Sequence, residues 1–259
     1  MSSRSTLRYG TFGLLLCLAL FLGVAPAYSA AVAREFTRTF PLHADGSVEL
    51  NNVNGTVRIE GWDKDEVEVR AVKTTPDSAS LLDMVAIDID SKPDAVSIST
   101  RYPQEEGVEV AVDYVIHVPR HAQLSRINNV NGTLRVVSSE SIGDLHTVNG
   151  NIEVYEGGGN VRAHTTNGNV YLELKRPADS RGASAETTNG SVLLAVPADL
   201  PADLDARCMN GNFSSELPLE LRGADKPRTV HGKLGRGGAP IRLSTINGAI
   251  RVVALRSTV

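Results

Sequence analysis

Two stretches decide the fold: Thr147-Val148-Asn149-Gly150-Asn151-Ile152-Glu153-Val154 and, 18 residues further on, Thr165-Thr166-Asn167-Gly168-Asn169-Val170-Tyr171-Leu172. Each has a threonine two residues before Asn-Gly and apolar residues three and five positions after the asparagine. Alternation with a period of two indicates a β-strand with one buried face. Asn-Gly is a turn dipeptide whose residues tolerate positive φ. The stretches therefore predict repeated strand–turn–strand units.

The same unit recurs along most of the chain. From Asn131 onward the gaps between Asn-Gly pairs are 18, 18, 22, 21 and 37 residues, and Val230-His231-Gly232 is interpreted as a degenerate copy inside the last gap. A fixed period is typical of repeat proteins, and this one predicts rungs of about 16–22 residues. The predicted structural turns are Asn54-Gly55, Asn131-Gly132, Asn149-Gly150, Asn167-Gly168, Asn189-Gly190, Asn210-Gly211, His231-Gly232 and Asn247-Gly248.

Two all-β topologies use such turns, and the recurring threonine distinguishes them. In an antiparallel β-meander with Asn-Gly hairpins, equivalent residues lie two strands apart, about 9–10 Å, so nothing favours their identity. In a parallel β-solenoid, or β-helix, they lie one strand apart and form hydrogen-bonded threonine or asparagine ladders. We therefore predict the solenoid and keep the meander as the alternative. Cys208 occupies a threonine position, which predicts a small, buried, inert thiol.

The first 31 residues are predicted to be a signal peptide. Arg4 and Arg8 are followed by the apolar run Phe12–Val24 and then by small residues. This order is typical of secretory leaders, and the run is shorter than the roughly 20 residues of a spanning helix. Cleavage after Ala27, Ala31 or Ala33 fits the small-residue rule, and Ala31 is preferred. An uncleaved membrane anchor is the alternative.

Residues 32–259 are predicted to form a single solenoid domain. Residues 127–259 carry the regular repeats, whereas residues 32–126 are expected to form an irregular first rung and a capping layer. That layer is predicted to contain a short helix over Pro76–Met84, because hydroxyl and acidic residues precede Leu81. A cap protects an open sheet edge from strand addition.

Composition excludes one large class of partner. The 259-residue chain has a net charge of −4, and loss of Arg4 and Arg8 with the leader makes it more negative. Only 5% of residues are aromatic. Binding of nucleic acid through basic patches and stacked aromatics is therefore not expected. Two cysteines provide no disulfide framework.

The order of these motifs resembles a known family. Val53-Asn54-Gly55-Thr56-Val57 opens the series, the strand Asp113–Pro119 follows, and Leu243-Ser244-Thr245-Ile246-Asn247-Gly248-Ala249-Ile250 closes it. Over about Glu35–Val253 the chain is similar to the bacterial "putative adhesin" domain-of-unknown-function family. The resemblance implies a β-solenoid in an exported, envelope-associated protein, and it supplies no catalytic residues.

No catalytic residues are predicted. Glycan-cleaving β-helical enzymes need two carboxylates within reach of one bond. The outward column four residues after each turn asparagine contains one acid, Glu153. We therefore expect a protein that is not an enzyme, and a glycan-acting enzyme of the cell envelope is the alternative.

His146 and His164 form the most notable polar pair. Both lie three residues before an Asn-Gly, so a solenoid stacks them on adjacent rungs about 5 Å apart. Two imidazoles at that spacing are weak candidates for shared metal ligands, with Glu186 next in the column. An exposed polar ladder is the preferred interpretation. No cofactor and no metal ion are expected.

Together these observations predict a non-catalytic, adhesin-like binding or scaffold module, exported to the periplasm, or secreted to the cell surface. One solenoid face is expected to contact an envelope protein or polysaccharide. No membrane span is expected in the mature chain.

Overall fold

The computed structural model describes residues 31–104, 107–158, 160–175, 182–221 and 228–255. Apart from Ala31, the predicted signal peptide lies outside these residues. From Ala31 onward the chain forms one compact unit. Its strands are β1 (Val32–Pro41), β2 (Ser47–Asn51), β3 (Val57–Trp62), β4 (Glu66–Thr75), β5 (Ala86–Lys92), β6 (Ala95–Arg101), β7 (Ala111–Pro119), β8 (Gln123–Asn128), β9 (Leu134–Val137), β10 (Ser141–Asn149) and β11 (Ile152–Gly157). They continue as β12 (Arg162–Asn167), β13 (Val170–Leu174), β14 (Ala183–Asn189), β15 (Val192–Val196), β16 (Ala202–Asn210), β17 (Phe213–Ser215), β18 (Leu219–Leu221), β19 (Thr229–Leu234), β20 (Ala239–Asn247) and β21 (Ile250–Ala254), and helix α1 is Leu81–Met84.

The strands form two sheets. Sheet A has the order β1-β4-β7-β3-β9-β11-β13-β15-β21-β17, and sheet B has the order β18-β19-β16-β20-β14-β12-β10-β8-β2-β6-β5. In each rung, the strand before Asn-Gly belongs to sheet B and the strand after it belongs to sheet A. Each Asn-Gly pair therefore connects the two sheets along one side of the molecule.

Like residues stack on like residues in parallel register. Asn149 pairs with Asn167, which pairs with Asn189 on the next strand. Thr147 and Thr165 occupy equivalent positions in β10 and β12. Because these residues are one strand apart and the strands run parallel, the predicted β-solenoid is confirmed and the hairpin meander is wrong.

The final rungs do not stack in chain order. β20 inserts between β14 and β16, so Asn247 pairs with both Asn189 and Asn210. β21 likewise lies between β15 and β17. The outward column on sheet A therefore has Arg251 between Leu193 and Ser214.

The predicted turn at His231 and Gly232 is wrong. Both residues lie inside β19, which runs antiparallel to β16 with His231 opposite Asp205. A Cβ added to Gly232 would lie 2.6 Å from Leu219 Cγ on β18. The glycine therefore permits close packing of two antiparallel strands instead of forming a solenoid turn.

The opposite end of the solenoid is closed by antiparallel strands. β7 pairs parallel with β3, but β4 and β1 then pair antiparallel, and β5 pairs antiparallel with β6 at the end of sheet B. The helix is shorter than predicted, since only Leu81–Met84 is helical. Its residue Leu82 is buried and packs into the core.

The core lies between the two sheets and consists mainly of valine, leucine and isoleucine. Residues three and five positions after each turn asparagine, such as Ile152 and Val154, are buried, except after Asn210, where Phe213 and Ser215 are half-buried. Near the cap, the hydroxyls of Tyr114 and Thr100 share a hydrogen bond of 2.7 Å. Burial raises the pKa of Tyr114 to about 12, so this phenol stays neutral inside the core.

Candidate binding faces and the turn ladder

Seven turn asparagines form one continuous chain of side-chain hydrogen bonds, which we call the asparagine ladder. Each amide nitrogen donates to the amide oxygen of the neighbouring rung, always in the same direction. These side-chain bonds therefore join adjacent rungs along this side of the solenoid, in addition to the backbone hydrogen bonds between the strands. The donor–acceptor pairs are Asn131 to Asn54 (2.7 Å), Asn149 to Asn131 (2.9 Å), Asn167 to Asn149 (2.8 Å), Asn189 to Asn167 (2.8 Å), Asn247 to Asn189 (2.8 Å) and Asn210 to Asn247 (2.9 Å).

The glycines next to them are required chiefly by close stacking. A Cβ on Gly168 would lie 2.0 Å from the carbonyl oxygen of Gly150, and the same clash recurs from rung to rung. The asparagines do not need positive φ, since in the described chain only Ser138 and Glu156 have it among non-glycine residues. Tolerance of positive φ is therefore only part of the physical reason for the Asn-Gly dipeptide.

The threonines two residues earlier also bond to the glycines, and not to one another as predicted. Thr165 Oγ1 donates to Gly150 O at 2.9 Å, and equivalent bonds occur in neighbouring rungs. Cys208 takes the same place, with its Sγ 3.1 Å from Gly248 O. Burial raises the pKa of the Cys208 thiol, which disfavours the reactive thiolate. The turn residues thus have a structural role.

The outer face of sheet A carries a cluster that we call the tyrosine patch: Arg135, Glu153, Tyr155, Tyr171 and Glu173. The two tyrosine rings lie 5.0 Å apart between centroids. Arg135 Nε donates to Glu153 Oε2 at 2.8 Å, and its guanidinium carbon lies 5.0 Å from the Tyr155 ring centroid. Tyr171 Oη donates to Glu173 Oε2 at 3.1 Å. Aromatic, acidic and basic groups are therefore held together on adjacent rungs.

A shallow cleft of about 440 Å³ extends from this patch to Val137 and Glu156. Glu156 accepts hydrogen bonds from Lys175 and Ser138, and these bonds lower the pKa of its carboxyl group. Burial, followed by the neighbouring Glu173, raises the pKa of Tyr171 to about 12. At neutral pH the cleft therefore offers the ionised carboxylate of Glu156, and the adjacent phenol of Tyr171 is neutral.

Inspection of one column in the sequence missed this cluster. Arg135, Glu153 and Tyr171 lie four residues after a turn asparagine, whereas Tyr155 and Glu173 lie six residues after theirs. Both positions point to the same face of a strand. Comparing the two columns together would have revealed the patch.

The outer face of sheet B carries the predicted histidine pair. His146 and His164 are paired residues of β10 and β12, and Glu186 is the partner of His164 on β14. The imidazole rings stack with centroids 5.2 Å apart and planes 4° apart. His164 Nδ1 lies 3.6 Å from Glu186 Oε2.

These side chains line a second cleft of about 310 Å³, the histidine cleft, together with Asp144, Arg162 and Ser184. Burial, and secondarily the neighbouring His164, lower the pKa of His146. Asp144 accepts hydrogen bonds from Arg162, which lower the pKa of its carboxyl group. In their present positions, no three or more His, Cys, Asp or Glu residues of the described part of the chain are grouped so that they could hold a metal ion.

No helix of the described residues has the length and apolar character needed to cross a membrane.

Comparisons with known proteins place the chain in a family. No curated protein matches it. Three solved structures align over 86% of the chain at low identity: a "putative cell adhesion protein" from Clostridium sporogenes (12% identity, TM-score 0.46, 100% of that chain), a "putative adhesin" from Bacteroides fragilis (12%, 0.27, 97%) and a "putative lipid binding protein" from Parabacteroides distasonis (10%, 0.32, 97%). The family model described as Toastrack DUF4097 matches residues 39–253, which confirms the resemblance inferred from the repeats. The chain therefore belongs to the Toastrack DUF4097 family.

Proposed function

We propose that this protein is an exported, non-catalytic binding module of the cell envelope, adhesin-like in use, that binds a polysaccharide on the outer face of sheet A. The observation that carries the proposal is the tyrosine patch. Two half-buried tyrosines stand on adjacent rungs of a parallel sheet, with carboxylates beside both rings. An envelope protein that uses the solenoid as a scaffold is the other partner considered.

The chemistry of the patch suits a sugar chain. Aromatic rings pack against the apolar faces of sugar rings, and carboxylates and guanidinium groups bond to hydroxyls. Arg135 is fixed by Glu153, and Tyr171 is fixed by Glu173. Because these side chains are already ordered, little conformational entropy is lost when a ligand binds.

The electrostatics favour binding over cleavage. A glycosidase needs a general acid whose pKa is raised, so that it carries a proton at working pH. Glu156 has the opposite shift, because Lys175 and Ser138 stabilise its charged form. Glu153 accepts a hydrogen bond from Arg135 and is therefore already engaged as an acceptor. The carboxylates of the patch are therefore better suited to accept hydrogen bonds than to donate a proton.

Affinity electrophoresis through gels containing envelope polysaccharides tests the proposal. We expect retardation of the wild-type protein, and Tyr155→Ala combined with Tyr171→Ala should weaken it by about tenfold or more, since both rings are lost. Ile246→Ala, which truncates an exposed apolar side chain on sheet B, is the matched control and should bind like wild type. Equal retardation of all three proteins would contradict polysaccharide binding at the tyrosine patch. Shortening of the polysaccharide would establish the glycan-acting enzyme instead.

Export is tested separately. Strand β1 begins at Val32 and pairs with β4 along its whole length, so cleavage after Ala31 leaves the strand intact. We expect N-terminal sequencing of the exported protein to start at Val32. Recovery of the uncleaved chain in the membrane fraction would support the anchor alternative.

A further inference from the structure

We infer that the histidine cleft on sheet B binds a late first-row divalent metal ion, Zn²⁺ or Cu²⁺, through His146 and His164, with Glu186 as the third ligand. The three residues occupy one row across β10, β12 and β14. Two imidazoles and one carboxylate are a ligand set that these metals accept, with water completing the coordination. The inference concerns the face opposite the tyrosine patch and does not depend on the proposed function.

The present side-chain arrangement needs one adjustment to bind a metal. Two nitrogens on one zinc ion lie at most about 4.2 Å apart, because each Zn–N bond is about 2.0–2.1 Å. The ring centroids are 5.2 Å apart and the rings are nearly parallel, so the rings must tilt toward each other. The side chain of His164 is 47% exposed and that of Glu186 is 56% exposed, which leaves both free to rotate. The cleft of about 310 Å³ provides the space.

The charges around the cleft do not oppose a bound cation. Arg162 lines the cleft, and Asp144 pairs with it through two hydrogen bonds, one of 3.0 Å between Nη2 and Oδ2. The residues that flank the row, Asn128 and Ser244, carry no charge. Glu186 adds a negative charge beside His164. The cleft therefore combines two imidazole groups with a carboxylate that lies beside one of them.

Calorimetric titration of the purified protein, prepared without a histidine tag, with Zn²⁺ and with Cu²⁺ tests the inference. We expect one equivalent to bind, with Mg²⁺ giving no signal because it prefers oxygen ligands. His146→Asn and His164→Asn should each weaken binding by about tenfold or more, as expected for loss of a metal ligand. His231→Asn is the matched control, since His231 Nδ1 also lies 3.6 Å from a carboxylate, Asp205 Oδ1, but is not stacked on a second histidine.

Electron paramagnetic resonance of the copper form separates ligation from a general effect on folding. Nitrogen couplings from two imidazoles are expected in wild type and from one in each single variant. Unchanged affinity in both His146→Asn and His164→Asn, or an equal loss in His231→Asn, would overturn the inference. Absence of one-equivalent binding by the wild-type protein would overturn it as well.

Discussion

The central rungs and the C-terminal third of the solenoid have the same ladders but a different chain order. From Asn131 to Asn189 each rung stacks on the rung that precedes it in sequence. In the C-terminal third, the last rung, with Asn247, inserts between those with Asn189 and Asn210. The asparagine bonds in the two regions are nevertheless of similar length, 2.8 Å for Asn189 to Asn167 and 2.9 Å for Asn210 to Asn247. Stacking therefore depends on matching turn geometry and not on sequence order.

Spacing explains where the order is kept. A gap of 18 or 22 residues holds two strands of four to nine residues and their turns, so the next strand reaches only the adjacent position. After β15 the chain forms β16 and β17. It then continues through β18 and β19, which pair antiparallel with each other, and β19 also pairs antiparallel with β16. One strand position therefore remains in each sheet, between β14 and β16 and between β15 and β17, and β20 and β21 occupy these two positions.

The largest expected effect concerns the glycines, which the two regions share. Gly168→Ala places a Cβ 2.0 Å from Gly150 O, and backbone on both sides prevents relief, so we expect a loss of about 3 kcal/mol or more in unfolding free energy. Gly211→Ala clashes with Gly248 O but lies in the terminal rung of sheet A in the described chain, where one side is free to shift. Urea denaturation should therefore give a smaller loss.

Gly235→Asn is the control, because its nearest neighbour is 3.6 Å away and asparagine tolerates its φ of +54°. We expect this variant to lose less than about 1 kcal/mol. Equal losses in Gly168→Ala and Gly211→Ala would mean that the terminal rung is as constrained as the centre.

The next largest effect concerns the buried threonine hydroxyls that donate to the turn glycines. Thr165→Val keeps the shape but removes the donor to Gly150 O, which we expect to cost about 1–3 kcal/mol in thermal or urea unfolding. Cys208→Thr restores the hydroxyl found in the central rungs and should be neutral or stabilising by up to about 1 kcal/mol. A destabilised Cys208→Thr would show that the C-terminal rung differs in packing from the centre.

For the asparagine ladder we expect a smaller difference in stability cost between the central and the terminal rungs. Asn167 takes part in two ladder bonds, whereas Asn210 at the end takes part in one. Because the ladder is exposed, we expect Asn167→Ala to cost about 1–2 kcal/mol and Asn210→Ala about half as much. Chemical denaturation of both variants measures the ratio, and equal costs would argue against bond-by-bond additivity along the ladder.

The smallest effect is the pH dependence of the histidine pair in the central rungs. The folded protein lowers the pKa of His146 below its ordinary 6.5, so the unfolded chain binds more protons in this range. The stability associated with the neutral His146 side chain is therefore present above pH 6.5 and is lost as the pH falls below 6.5. Melting temperatures of His146→Asn should therefore fall less between pH 7 and pH 5 than those of wild type, where about pH 5–7 spans the titration. Above about pH 8 the pH slopes of the two proteins should coincide, which serves as the control.

Much of the fold could be predicted from the sequence because its determinants are local and repeated. The Asn-Gly spacing identified the central rungs, and the recurring threonine distinguished the solenoid from the meander. The stacking of His146 on His164 followed from their equal phase. The tyrosine patch did not emerge, because its members lie in two columns and a register shift follows Val154. His231 was misread because a threonine two residues before a glycine-containing pair also occurs in an ordinary antiparallel strand.

The sequence by itself determined the unit: strand, Asn-Gly turn and strand, with one face apolar and the turn glycines free of a Cβ. These are properties of a few consecutive residues, and the short spacing between units forces the next strand into the adjacent position. Only the tertiary structure decided which rung fills the vacancy between Asn189 and Asn210, and which outer side chains meet in the tyrosine patch and the histidine cleft. Residues 189 and 247 are 58 positions apart in sequence, so their pairing depends on which strand edges are free once the other rungs have formed, and not on any local preference.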